Sequence, residues 1–247
     1  MSELIYKLFS LPAILFAITI HEYAHGYIAY KLGDPTAKSL GRLTLNPLHH
    51  LDPIGALLML LVGFGWAKPV PVNPRYFKKP RKGMALVSVA GPLANIITAV
   101  ISALLYSVSL FLFNWLLNHS AVSEFAFNCM QYWLIFLQIF HVLNLSFALF
   151  NLIPLPPLDG SKIISLILPR KFYYKLLQHE RELSLFFMVW LLLGARLSSF
   201  LLKYPSIASS NVLSFIVKSF SLTGWLSEGV SFLSELIFKL IDLIPFL

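Results

Sequence analysis

Charge is what this sequence has least of. Only 12% of its 247 residues are Asp, Glu, Lys or Arg, about half the share usual in a soluble domain. Residues 83–123 and 125–158 contain no charged side chain, and each run exceeds the roughly 20 residues a helix needs to cross a bilayer. A water-soluble globular class is therefore excluded. Cysteine is almost missing too: the single Cys129 rules out an internal disulfide framework and a thiolate metal cluster. Acids are scarce, 11 against 19 Lys and Arg, for a net charge of +8. That excess could point to nucleic acid, but the basic residues gather in loops between apolar segments, where membrane topology accounts for them. No nucleic-acid partner is expected, and no repeat or linker marks a second domain.

What remains is a series of apolar segments. The first helix is expected over about 4–31, closed by Gly33 and Pro35. One basic residue precedes its apolar stretch, and the helical pattern runs on through His21 and His25 instead of ending at a small-residue cleavage site, so it reads as a retained span and not as a signal peptide. Residues 53–67 are apolar but short and glycine-rich, and the run K-P-V-P-V-N-P follows at 68–74. Proline at every second position cannot be helix interior. Residues 53–74 are therefore expected to form a re-entrant or membrane-associated β-hairpin segment, its irregular backbone satisfied by protein or a water cavity. Further spans are expected within 84–113, within 132–153 and over about 184–202, and residues 206–247 read as short spans or interfacial helices. The expected fold is all-α and polytopic, with about four to six transmembrane helices. Residues 1–203 form the core domain and 204–247 an apolar extension.

The loops set the orientation. Residues 68–82 hold Lys68, Arg75, Lys78, Lys79, Arg81 and Lys82 without an acid, and 162–182 hold Lys162, Arg170, Lys171, Lys175 and Arg181 against two acids. The loop at 114–131 has Glu124 and no Lys or Arg. By the positive-inside rule the first two loops are cytoplasmic, so the first helix runs inward and ends at the cytoplasmic face.

Within that helix stands I-H-E-Y-A-H-G, residues 20–26. His21 and His25 are four apart, on one face and about 6 Å apart along the axis, a spacing that lets two imidazoles reach one tetrahedral zinc. Glu22 is then placed to take a proton from a water at the metal. Such a motif arises by chance on solvated helices. Inside a spanning segment, however, each ionisable residue is costly to insert and marks a functional site by default.

A catalytic zinc needs a third protein ligand. The candidates are Asp159, His141, His49, His50, Asp52 and Cys129. Cys129 falls in the outside loop. His141 lies midway along the third span, where a hydrogen-bonded interior histidine is the alternative. His49 and His50 lie in a polar loop, where histidine is ordinarily solvated. Asp159 follows a helix break, N-L-I-P-L-P-P-L-D-G at 151–160, near the same membrane face as His25. From position alone, a metal ligand and a cap or turn residue before Gly160 are equal readings of it.

H-E-Y-A-H in the first span, A-G-P-L-A-N at 90–95 and N-L-I-P-L-P-P-L-D-G at 151–160 together resemble the site-2 protease family of intramembrane zinc metalloproteases. G-R-L-T-L-N-P-L-H-H-L-D-P at 41–53 and W-A-K-P-V-P-V-N-P at 66–74 look like the compact, PDZ-less bacterial or archaeal-type members. The resemblance covers roughly residues 15–165 in order. It implies that His21, His25 and Asp159 bind one zinc and that Glu22 is the catalytic acid/base. It also puts Asn95 near the active site. An interhelical hydrogen bond is an equal reading of Asn95, and Asn151 carries the same two readings, accessory or structural.

The expected function is therefore hydrolysis of a peptide bond in a transmembrane segment of a membrane-protein substrate, near the cytoplasmic side of the cell (inner/cytoplasmic) membrane. The lipid bilayer is its medium. The 53–74 segment is expected to offer an extended edge to an unwound substrate strand. The alternatives are a metal transporter, which would need ionisable residues along a crossing path, and a catalytically silent zinc-binding scaffold, which would have no use for Glu22.

Overall fold

A computed structural model describes residues 3–55, 67–203 and 222–244 of the chain. Helix α1 covers Glu3–Lys31 and ends where Gly33 takes a φ of 102° that a side chain would strain; the one-turn α2 (Thr36–Ser39) follows Pro35. Helix α3 runs over Pro80–His119 and α4 over Glu124–Asn151. Then come α5 (Asp159–Ile164), α6 (Arg170–Gln178), α7 (Glu180–Lys203) and α8 (Leu222–Ile241). Among the described residues three helices are long and apolar enough to cross a membrane: Leu8–Lys31, α3 and α4. The chain is thus a mostly helical membrane protein. α7 lies where a further span is expected over about 184–202, but it is not among these three.

Among the described residues there is no strand, and one isolated antiparallel bridge pairs Leu51 with Ala67. The tip of the expected hairpin, residues 56–66, lies outside the described residues, as do residues 204–221 of the C-terminal extension.

The bundle alternates in direction. Along α1 and α3, Ala17 faces Asn95 while His25 faces Val87, so the two run antiparallel. Along α3 and α4, Asn95 meets Asn144 and Ser109 meets Trp133, which is again antiparallel. α3 can approach both neighbours closely because its buried face is made of small residues: Ala85, Ser88, Gly91, Ala99, Ser102 and Ala103. In lipid, where apolar side chains gain little by leaving the solvent, such close backbone approach and buried polar pairs hold helices together. α3 starts cleanly, with Pro80 in its first turn. α4 starts with Ser123 accepting a hydrogen bond from the Ala126 amide.

The prolines of 69–74 carry the chain as a non-helical strip across α1. Two carboxylates of α1 and its C-terminal turn anchor it: the Val70 amide donates to Glu22 Oε2 at 2.7 Å, and the Asn73 amide donates to Asp34 Oδ2 at 2.6 Å. Asp34 is fully buried and accepts also from the Thr36 amide and hydroxyl. The Lys68 amide donates to the His50 carbonyl, and Arg42 Nη2 donates to the carbonyls of Lys68 and Pro69. These groups are committed within the fold, so the strip at 68–70 does not offer the open pairing edge expected of it.

α8 belongs to the same core. Val230 packs with Ala99 and Leu145, flanked by Leu149, Leu233 and Ile237, and Gly229 lies against Leu149.

Candidate metal centre

Where α1 nears its end and α3 begins, three side chains converge. His21 and His25, one helical turn apart, stack edge to face with ring centroids 4.5 Å apart. Asp159 joins them from the other side of the bundle. The prolines at 154, 156 and 157 end α4, and α5 opens with Asp159 as its first residue. Its side chain does not cap that helix. Asp159 Oδ2 lies 3.1 Å from His21 Nε2 and 3.0 Å from His25 Nε2. All three residues are buried, and their ligand atoms lie within 4.8 Å of one another.

The hydrogen bonds behind the histidines decide what this cluster can hold. His25 Nδ1 lies 2.7 Å from the Val87 carbonyl, which can only accept, so Nδ1 carries the proton. Asn95 spends its amide donors on the Ala17 carbonyl at 3.1 Å and Asn144 Oδ1 at 2.9 Å. Its oxygen is left to accept from His21 Nδ1 at 2.7 Å. Asn144 closes the chain by donating to the Phe140 carbonyl. With both Nδ1 protons committed, an imidazole in its neutral form has a bare Nε2 lone pair facing that carboxylate oxygen. Three electron-rich atoms at that separation call for a cation between them. Two imidazole nitrogens and one carboxylate oxygen are a donor set that suits zinc, and acceptors behind the ring nitrogens are the usual support of such ligands.

Space for the cluster comes from Gly91. A Cβ built there would stand 2.6 Å from His21 Cε1 and Nε2 and 2.6 Å from His25 Cε1. The neighbouring Pro92 lacks the amide that would close this turn of α3 onto Ser88. Gly160 has a similar part beside Asp159, since its Cβ would fall 2.3 Å from the carbonyl oxygens of Leu152 and Ile153.

The other sequence candidates lie elsewhere. His141 is an interior histidine of the bundle, its Nδ1 donating to the Ala99 carbonyl and its Nε2 2.9 Å from Ser234 Oγ of α8. Asp52 accepts from the amides of Ile54 and Gly55, and Cys129 is exposed. His50, expected to be solvated, is buried because its Nε2 donates to the Thr44 carbonyl and its own carbonyl accepts from Lys68; its neighbour His49 is exposed. Asn151 donates to the Phe147 carbonyl on its own helix. Gly91 and Asn144 were missed as site residues. Gly91 sits inside the quoted A-G-P-L-A-N, and Asn144 is a polar residue in an uncharged span, so each left a signal. The Val87 carbonyl left none, because a backbone acceptor has no side-chain signature.

Comparison with known proteins points the same way. The model of Peptidase family M50 matches residues 9–195. The Bacillus subtilis protein YwhC, which bears the name of a zinc metalloprotease, is 46% identical over 180 residues, covering 71% of this chain and 76% of YwhC. Rip2 of Mycolicibacterium smegmatis, also named as a zinc metalloprotease, is 32% identical over 152 residues, 59% of this chain and 52% of Rip2. The zinc metalloprotease MJ0392 of Methanocaldococcus jannaschii is 29% identical over 158 residues, 64% of this chain and 34% of that protein. No solved structure matches the chain.

Proposed function

This chain belongs to peptidase family M50, and we propose that it cuts transmembrane segments of membrane-protein substrates within the bilayer, near the cytoplasmic face. It is a zinc metallopeptidase and a membrane protein; where it cuts, and with which residues, is our reading. We assign His21, His25 and Asp159 as the zinc ligands, Glu22 as the catalytic acid/base and Asn95 as the residue that orients His21. The convergence of Asp159 on two histidines that lie inside a spanning helix carries the assignment.

Two observations support this depth and side. His25 stands six residues before the end of α1 and His21 ten, or about 9 and 15 Å along a helix axis. Such a depth suits a bond within the membrane, close to one face. The basic segments 68–82 and 162–182 lie at this same end, which supports the cytoplasmic side of the cell (inner/cytoplasmic) membrane. The catalytic core is assigned to residues 1–203, with 204–247 as an extension whose α8 braces α4.

Bound zinc supplies Lewis acidity, polarising the scissile carbonyl and acidifying a water. Glu22 takes a proton from the attacking water as its oxygen bonds to the scissile carbonyl carbon, and passes that proton to the amine nitrogen as the C–N bond breaks. Its Oε2 is held by the Val70 amide, so Oε1 is the oxygen left for the transfer. His21 and His25 keep their Nε2 atoms toward the centre because Asn95 and the Val87 carbonyl hold the opposite edges of the rings. The transporter alternative is not favoured: His141, an ionisable group buried farther along the bundle, is engaged by Ala99 and Ser234.

Protein purified from cells should carry close to one zinc per chain, and cells bearing Asp159→Ala should accumulate uncut single-span proteins that quantitative membrane proteomics can identify. Wild-type protein free of zinc, or an unchanged membrane proteome, would sink the reading. Asn95→Ala removes the acceptor behind His21 and should weaken zinc affinity by about 10–100-fold, measured by chelator competition. If the affinity were unchanged, Asn95 would be mere interhelical glue.

A further inference from the structure

A second site lies outside the metal centre, where α1 ends and α3 begins. A cavity of about 420 Å3 opens there, and Lys31, Lys78, Lys79 and Lys82 are among the residues that line it. No ion pair engages these four lysines among the described residues. Lys31 Nζ instead lies 5.4 Å from the centre of the Tyr27 ring. α3 begins at this cavity with Lys79 as its N-cap residue and no side-chain cap, which adds the positive end of a 40-residue helix to the four ammonium groups. The rest of the lining is apolar or small: Leu32, Leu86, Gly83 and the buried Phe77. Leu86 is 43% exposed although it lies in a helix apolar enough to span the membrane.

We propose that this cavity binds an anionic phospholipid, its phosphate among the four lysines and its acyl chain along Leu86. The positive-inside rule explains why lysines gather on this face of the membrane. It does not require four of them to converge on one cavity with an otherwise apolar lining, beside an uncapped helix terminus. A free phosphate would use the charge and leave the apolar lining without a role. A lipid uses both, because headgroup and hydrocarbon meet at this depth, where basic pockets between spanning helices take anionic headgroups. The site is independent of the zinc reading, since none of its residues touches the metal cluster.

The test is native mass spectrometry of the full chain in detergent, titrated with phosphatidylglycerol or with phosphatidylcholine. Wild type should retain phosphatidylglycerol in preference. The triple variant Lys78→Gln, Lys79→Gln, Lys82→Gln should retain it about tenfold less or weaker still. A charge-matched control, Lys171→Gln, Lys175→Gln, Arg181→Gln, should stay within about twofold of wild type, because those groups lie outside the cavity and act only through the screened surface field. Leu86→Ser leaves every lysine in place and should still weaken retention. Equal losses in the two triple variants, equal retention of the two lipids, or full displacement of phosphatidylglycerol by inorganic phosphate would each overturn the proposal.

Discussion

Glu22→Gln should leave one zinc on the protein and bring cleavage down by a factor on the order of 10²–10⁴. The substitution exchanges one carboxylate oxygen for an amide nitrogen and changes little else. The remaining oxygen can still accept the Val70 amide that Glu22 Oε2 accepts at 2.7 Å, so the 68–74 strip should stay on α1. None of the three assigned ligands is altered. What is lost is the group that can take a proton from water and give it to the amine. The measurement is cleavage of a purified single-span substrate in nanodiscs, with zinc content determined on the same sample. Wild-type rates in a zinc-loaded Glu22→Gln protein would remove Glu22 from the mechanism. Loss of zinc along with activity would instead make Glu22 part of the metal site.

The second large effect should come from a residue with no side chain to offer. Gly91→Ala places a methyl group 2.6 Å from atoms of both imidazoles, a separation real carbon contacts do not show. The rings cannot simply retreat, because Asn95 and the Val87 carbonyl hold their far edges. Zinc content should fall to roughly a tenth of wild type or less, since a displaced ring loses both its Nε2 direction and its supporting acceptor. Alanine favours helix over glycine by about 1 kcal/mol, which offsets part of an overpacking cost of about 1–3 kcal/mol. The fold should survive while the metal goes. Gly26→Ala is the matched control one residue beyond His25. Its Cβ would meet the tips of Val70 at 3.1 Å and Leu43 at 3.3 Å, side chains that can shift by tenths of an ångström. Zinc retained at wild-type level in Gly91→Ala would show that the cradle is looser than its geometry.

Much of this was legible before any coordinates. The uncharged runs at 83–123 and 125–158 announced α3 and α4, because lipid allows long spans one kind of secondary structure. The i, i+4 spacing of His21 and His25 announced a shared face, because helical geometry alone decides it. Asp159 could be nominated but not separated from a turn residue, since that distinction depends on where a proline-broken chain turns its side chain. His50 read as solvated because its burial comes from a backbone contact with Lys68, 18 residues on by number. The part of the 53–74 segment at 68–70 reads as a free edge in the sequence for the same kind of reason. Its prolines are visible in the sequence, while the carboxylates that accept from the Val70 and Asn73 amides, Glu22 and Asp34, lie 48 and 39 residues away.

The separation of His21 from Asp159, 138 residues of chain, has a mechanical consequence. A bond between them through zinc closes a loop containing α3 and α4, two of the three spanning helices. Cross-links across long loops restrict an unfolded chain most, and metal binding of this kind adds directly to folding free energy. Zinc should therefore act as a clasp as well as a reagent. Pulled from the membrane by its N-terminus, the loaded protein should release α1 at a higher force than the chelated one, and Asp159→Ala should abolish the difference.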